Sequence, residues 1–140
     1  KNNNNEFLIQ KRSKEKGGLW ATTGGHPKSG EDSLQGIITE VKEELGIELC
    51  KNQIEELDIY KSTEPNNKYF GYNYFAVVDN KIEDYKLQVE EVDAVKYVTI
   101  EEIEQSKKDA NYVFYNWEDE SFYEQMNMLK EKRSKIINGR

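Results

Sequence analysis

The chain has 140 residues, 36% of them hydrophobic and 34% charged, and its 20 Lys and Arg against 27 Asp and Glu leave a formal net charge of −7. That length suits one domain, and nine Tyr, five Phe and two Trp give enough bulk for a core, which excludes a wholly disordered chain. The acidic balance opposes attachment to a nucleic-acid backbone, so no direct nucleic-acid binding is expected, and an acidic protein that handles phosphates needs cations to bring the two together.

In chain order, residues 1–5 read as a polar turn or frayed end. Phe7, Leu8 and Ile9 open a strand running towards Arg12. Residues 13–18 form a charged loop closed by glycine. Around it Lys11, Arg12, Lys14 and Lys16 either draw in a phosphorylated ligand or simply face water. Leu19 and Trp20 make a short apolar step before a loop of turn residues at 23–27 and 29–30. Residues 32–45 read as a helix, because Leu34, Ile37, Ile38, Val41 and Leu45 recur at helical spacing. Gly46 is its expected left-handed cap, with Ile47 packed behind. Cys50 is the single cysteine, expected as a small buried side chain. It excludes an internal disulfide and suits a reducing cytoplasm.

Strands are expected at 54–62 and 69–79, joined by a turn at Pro65-Asn66-Asn67. Tyr69, Phe70, Tyr72, Tyr74 and Phe75 read as core, with one face of the set as a candidate platform for a nucleobase. A short strand at 94–98 precedes Thr99 and Glu102, a capping-box pair that opens a helix. A last amphipathic helix is expected at 118–134, with Phe122, Met126 and Leu129 inward. Strands and helices alternate without a repeat or linker, which points to a single layered α/β domain over residues 1–140. No apolar run is long enough to span a bilayer and no signal-peptide pattern occurs, so a cytoplasmic protein is expected.

The informative stretch is 24–47. Glu40, Glu43 and Glu44 are spaced i, i+3, i+4, so a helix holds all three on one side, distinct from the apolar stripe. Like charges this close weaken an isolated helix, and a cation among them would remove the penalty. Mg²⁺ and Mn²⁺ prefer such hard oxygen donors, often shared with substrate phosphates. Three glutamates alone read more readily as a solvated helix face.

The wider spacing adds to this. Gly25, Glu31, Glu40, Val41, Glu43, Glu44, Gly46 and Ile47 stand at the fixed positions of a motif, and this motif resembles the Nudix box of the Nudix hydrolase family. One position departs from it, since Thr39 stands where the family has Arg. The resemblance implies a Nudix-type α/β/α sandwich with a mixed β-sheet, covering most of the chain. The sheet before the motif is shorter than the family's, so some N-terminal residues are expected to be lacking. The resemblance also implies a hydrolase that cleaves a diphosphate linkage in a nucleoside diphosphate derivative or similar small molecule with Mg²⁺ or Mn²⁺.

Carried over by position, Glu40, Glu43 and Glu44 are metal-binding and catalytic carboxylates, Gly24 offers its carbonyl to a metal, and Glu31 supports the loop-helix junction. A further downstream acid is assigned to Glu91, with Glu90 as its alternative. The general base is then Glu40, Glu43 or Glu91. A homodimer is left open.

Thr39 supplies neither the charge nor the donor fork of the family's Arg. Either Lys28 or Arg12 compensates, or catalysis is weakened, and a ligand-binding module without turnover stays in view. Residues 20–27, with the single histidine His26 before Pro27, also resemble isopentenyl-diphosphate isomerases, which the resemblance makes a second reading. In that group a catalytic Cys lies two residues before the His. Here that position is Gly24, and Cys50 lies beyond the helix. His26 reads as a turn residue more readily than as a ligand.

Overall fold

A computed structural model of the chain describes residues 1–24, 29–61, 70–109 and 120–132. In order these form β1 (Phe7–Arg12), β2 (Trp20–Ala21), α1 (Ser33–Leu45), β3 (Ile54–Lys61), β4 (Phe70–Ala76), β5 (Val92–Val98), α2 (Ile100–Asp109) and α3 (Glu120–Lys132). Strand β1 lies between β2 and β5 in one sheet, and β3 pairs with β4 in a second. Every ladder among the described residues is antiparallel, so any parallel pairing of a mixed sheet lies outside them. The expected turn at Pro65-Asn66-Asn67 and the positions of Gly25, His26 and Lys28 also lie outside the described residues, as does the side chain of Phe122.

Strand β1 divides its side chains between two layers, as a period of two requires. Phe7 and Ile9 enter a cluster with Phe75 and Val77 near the end of β4, Val98 of β5, Ile100 and Ile103 of α2, and Met126 of α3. Leu8 points the other way, into a cluster with Val41 and Leu45 of α1, Tyr85, Val95 and Tyr97. Helices therefore cover the two faces of β1, giving the α/β/α layering. Burying each such aliphatic side chain contributes about 1.5–3 kcal/mol, so both clusters hold the layers together.

Helix α1 begins and ends where its sequence says it should. Asp32 caps the start, its Oδ1 accepting from the Gln35 N–H at 2.7 Å. Gly46 closes the end at φ 72°, its N–H donating to the Lys42 carbonyl. Glycine is needed at 46 for a second reason: a Cβ there would stand 2.7 Å from Lys86 Cβ and 2.9 Å from Lys86 O. That close approach comes from a backbone clamp. Lys86 N–H donates to Leu45 O at 2.9 Å and Gln88 N–H to Glu44 O at 3.0 Å, satisfying carbonyls the helix leaves without internal partners. Tyr85 anchors this segment by packing on Val41 and Leu45. Its hydroxyl donates to that of Tyr97, 2.7 Å away, which in turn donates to Asn80 O. Burial, then the bond to Tyr97, pushes the Tyr85 phenol pKa well above its ordinary value.

The remaining elements follow their local signals. Asn2 Oδ1 accepts from the N–H groups of Asn4 and Glu6, folding residues 1–5 into a turn. The Thr99 and Glu102 capping box forms, Glu102 N–H donating to Thr99 Oγ1 at 3.0 Å and Thr99 N–H to Glu102 Oε1. Two aromatic and sulfur expectations are corrected. Cys50 is exposed, because it caps the short turn leading into β3 and does not continue the buried face of α1. Tyr72 is 44% exposed, while Phe75 on the opposite face of β4 is 6% exposed, so Tyr72 is not core; Tyr69 and the side chain of Phe70 lie outside the described residues.

Candidate active site

The three glutamates of α1 differ sharply in burial. At about 100° per residue, Glu44 lies roughly 60° around the helix from Val41, Glu40 about 100° and Glu43 about 160°. Accordingly Glu43 is exposed and Glu40 half-buried, whereas Glu44 is only 8% exposed. The expected acidic side is thus continuous with the apolar stripe at one edge, and Glu44 belongs to both. Burial is the main reason its carboxyl pKa rises above the ordinary value. The charges of Glu91 and Glu43 push it further up, while a hydrogen bond from Gln10 and the Arg12 charge pull it down.

Gln10 is a residue that sequence reasoning missed. It stands between Leu8 and Arg12 on the α1 side of β1 and is 5% exposed. Its Nε2 donates to Glu44 Oε2 at 3.0 Å, and its Oε1 accepts from the Thr23 hydroxyl at 2.6 Å. The signal was available: in a strand of period two, a polar residue in register with a core leucine faces inward and needs partners.

Glu91 reaches the same neighbourhood by backbone geometry. The clamp on α1 delivers the chain to Gln88, whose carbonyl accepts from the N–H groups of Glu91 and Val92. Ser13 then pins the turn to the end of β1. Its N–H donates to Glu91 O and its hydroxyl to Glu90 O, both at 2.9 Å. The β1–β5 ladder shifts register between Lys11 and Arg12, a bulge at the point where this turn enters the sheet. Of the pair at 90 and 91, Glu91 is the one whose charge acts on Glu44. Its carboxylate also lies 3.7 Å from Lys16 Nζ, an exposed pairing of little energetic weight. Glu90 is exposed.

Thr39 holds Glu31, the glutamate that precedes α1, its hydroxyl donating to Glu31 Oε2 at 2.6 Å. The bond ties the middle of α1 to the loop before it, where Glu31 was expected to act. Positive charge comes from Arg12, which favours the ionised form of Glu44. Lys28, the other expected cation, lies outside the described residues. At the helix start, Ser33 Oγ hydrogen-bonds the Tyr74 hydroxyl and joins α1 to β4.

Glu40, Glu43, Glu44 and Glu91 offer hard oxygen donors of the kind Mg²⁺ and Mn²⁺ take. Gly24 is exposed at the mouth of the loop, with nothing within 4 Å of where a Cβ would stand. Among the described residues no three acidic, Cys or His side chains already converge as a metal cage. Mg²⁺ does not require one, since it keeps several waters and is bound through one or two carboxylates plus substrate phosphates. The donor chemistry and the mutual repulsion at Glu44 fit such a cation.

Layers of helix on both sides of β1 define an α/β sandwich protein. The family model described as the NUDIX domain matches residues 1–117, and the chain belongs to the Nudix family. It is 35% identical over 125 residues to Nudix hydrolase 3 of Arabidopsis thaliana, covering 79% of this chain but 16% of that much longer protein. It is 32% identical over 111 residues to an isopentenyl-diphosphate Delta-isomerase of Pectobacterium atrosepticum, covering 74% of this chain and 60% of that one. Among solved structures, the MutT protein of Methanosarcina mazei superposes with a TM-score of 0.67 at 21% identity, covering 96% of this chain and 90% of that chain. That likeness carries the fold. No helix of the described residues is long and apolar enough to cross a membrane.

Proposed function

We propose that this chain is a cytoplasmic hydrolase that uses Mg²⁺ or Mn²⁺ to cleave a diphosphate linkage in a nucleoside diphosphate derivative or a similar small molecule. The observation that carries the reading is the buried carboxylate of Glu44, set where the charges of Glu91 and Glu43 oppose it. Such an arrangement is costly unless a cation joins it. Glu40, Glu43, Glu44 and Glu91 would hold that cation, with the carbonyl of Gly24. When bound, it would neutralise diphosphate oxygens and lower the pKa of the attacking water.

The chain's own groups do the rest. Water attacks one phosphorus, the bridging P–O bond breaks, and the second phosphate leaves with the bond's electrons. A glutamate accepts the water's proton. Glu43 is exposed, and Glu40 and Glu91 are half-buried, so all three retain the solvent access a base needs to release that proton. Glu44 is too enclosed for this role and serves as a ligand. The relative named a hydrolase supports this reading.

The similarity to an isopentenyl-diphosphate isomerase favours a second reading. Against it, Gly24 stands where that group carries its Cys, and Cys50 is exposed beyond the end of α1. One assay separates the two, together with a ligand-binding module that has no turnover. Nucleoside diphosphate sugars, dinucleoside polyphosphates and isopentenyl diphosphate are incubated with Mg²⁺, Mn²⁺ or chelator. Cation-dependent release of nucleotide or phosphate is expected, without allylic product from isopentenyl diphosphate. Allylic product would install the isomerase, and ligand binding without any release would install the binding module.

A further inference from the structure

We infer that Gln10 is a positioning residue of this site: oriented by Thr23, its amide fixes one oxygen of Glu44 and ties that carboxylate to the loop that carries Gly24. The inference rests on the proposed reading of α1 as a cation site and adds to it a residue from a different element. Gln10 is 5% exposed and Glu44 8% exposed, so neither group is replaceable by water without rearrangement. Each end of the amide has one compatible partner. The NH₂ end donates to Glu44 Oε2 and the carbonyl end accepts from the Thr23 hydroxyl. Turning the amide over would set its carbonyl against the carboxylate, so the ionised glutamate selects the orientation observed.

Two properties of this relay suit a cation ligand. The donor is neutral, so it restrains the carboxylate without cancelling the charge that a divalent ion needs, as Arg or Lys at position 10 would do. The bond engages Oε2, and Oε1 takes no part in it. Thr23 immediately precedes Gly24 in the chain. The relay therefore sets the distance between a donor on the loop and a donor on the helix. Hydrogen bonds to ligating carboxylates tune metal sites in this way, and their loss typically costs 10–100-fold in metal affinity or activity.

The test is Mn²⁺ affinity, read from the electron paramagnetic resonance of free Mn²⁺ during titration, so no substrate is needed. Wild type is compared with Gln10→Met, Thr23→Val, Thr23→Ser and Glu44→Gln, and the melting temperature of each is taken in chelator. Gln10→Met keeps the length and removes the amide, and Mn²⁺ binding should weaken about 10–100-fold. Thr23→Val should weaken it less, and Thr23→Ser, which keeps the hydroxyl, should restore wild-type affinity. A purely structural role would lower the melting temperature and leave affinity unmoved, which would overturn the inference. If Gln10→Met does not fold, the Thr23 pair decides: equal affinity for Val and Ser overturns it. Wild type that binds no Mn²⁺ would remove the cation site itself. Wild type that binds, with Glu44→Gln weakened but Gln10→Met not, would remove Gln10 alone.

Discussion

On one face of β1, Phe7 and Ile9 meet Val98, Ile100, Ile103 and Met126 in an apolar cluster. On the other, Leu8 shares its row with Gln10 and Arg12 opposite α1, where Glu44 is buried beside Val41 and Leu45. One strand thus serves a layer stabilised by apolar burial and a layer that accepts an electrostatic cost. A buried, mutually repelling carboxylate is hard to explain by stability.

The contrast breaks first on the apolar side. Ile9 is 1% exposed, and Ile9→Ala should cost about 2–5 kcal/mol in urea unfolding through lost burial and a residual cavity. Mn²⁺ affinity of the molecules that stay folded should be unchanged. A small stability loss with weakened Mn²⁺ binding would mean that the two faces are not separable.

On the α1 side the dominant effect should be on turnover. Glu44→Gln should lower hydrolysis at least about a hundredfold, roughly 2.7 kcal/mol of barrier. In chelator it should also raise stability at neutral pH. Because the folded protein holds the Glu44 proton more tightly than the unfolded chain does, wild-type stability from this group is fullest below the ordinary carboxylate pKa and falls as pH rises through the elevated folded value. The variant's advantage should therefore grow as pH is raised from about 4 and then level off. An advantage that instead grew towards acid pH would contradict the assignment.

Gly46→Ala tests the seam between α1 and the clamp. With φ at 72° and a Cβ only 2.7 Å from Lys86 Cβ, it should cost about 1–3 kcal/mol and loosen Glu91 along with the helix end. Equal stability and turnover in this variant would show that the clamp does not position the site. The smallest effect belongs to Thr39→Val, which loses the bond to Glu31 and about 0.5–1.5 kcal/mol, measurable by thermal unfolding. A loss well above that range would give Thr39 a larger part than one hydrogen bond.

Helix α1 was legible at its C-cap and to one residue at its start, where Asp32 proves to be the cap, because Gly46 acts locally and the apolar spacing is regular. The Nudix fold and the acidic helix followed from the same stretch, and of the two downstream acids Glu91 is the one whose charge acts on Glu44. Its placement was not derivable, since it depends on backbone bonds from Lys86, Gln88 and Ser13 that side-chain identity does not announce. Gln10 was legible only through its register with Leu8, and Thr23 sits in a loop of turn residues that has no periodicity to place its hydroxyl. Thr39 was examined for a missing charge, while its hydroxyl satisfies Glu31 without one. Cys50 was misjudged because its burial depended on where the chain turned after Gly46, which composition does not report.

The clamp has an evolutionary consequence. The two bonds that hold the end of α1 use the N–H groups of Lys86 and Gln88, and every amino acid except proline provides one. Sequences can drift at those two positions, changing surface charge and solubility, while the carboxylates they help align stay in register. Gly46, pressed against residue 86, has no such latitude. Variation along this seam should therefore be lopsided: broad on the loop that approaches the helix, and closed at the single residue it approaches.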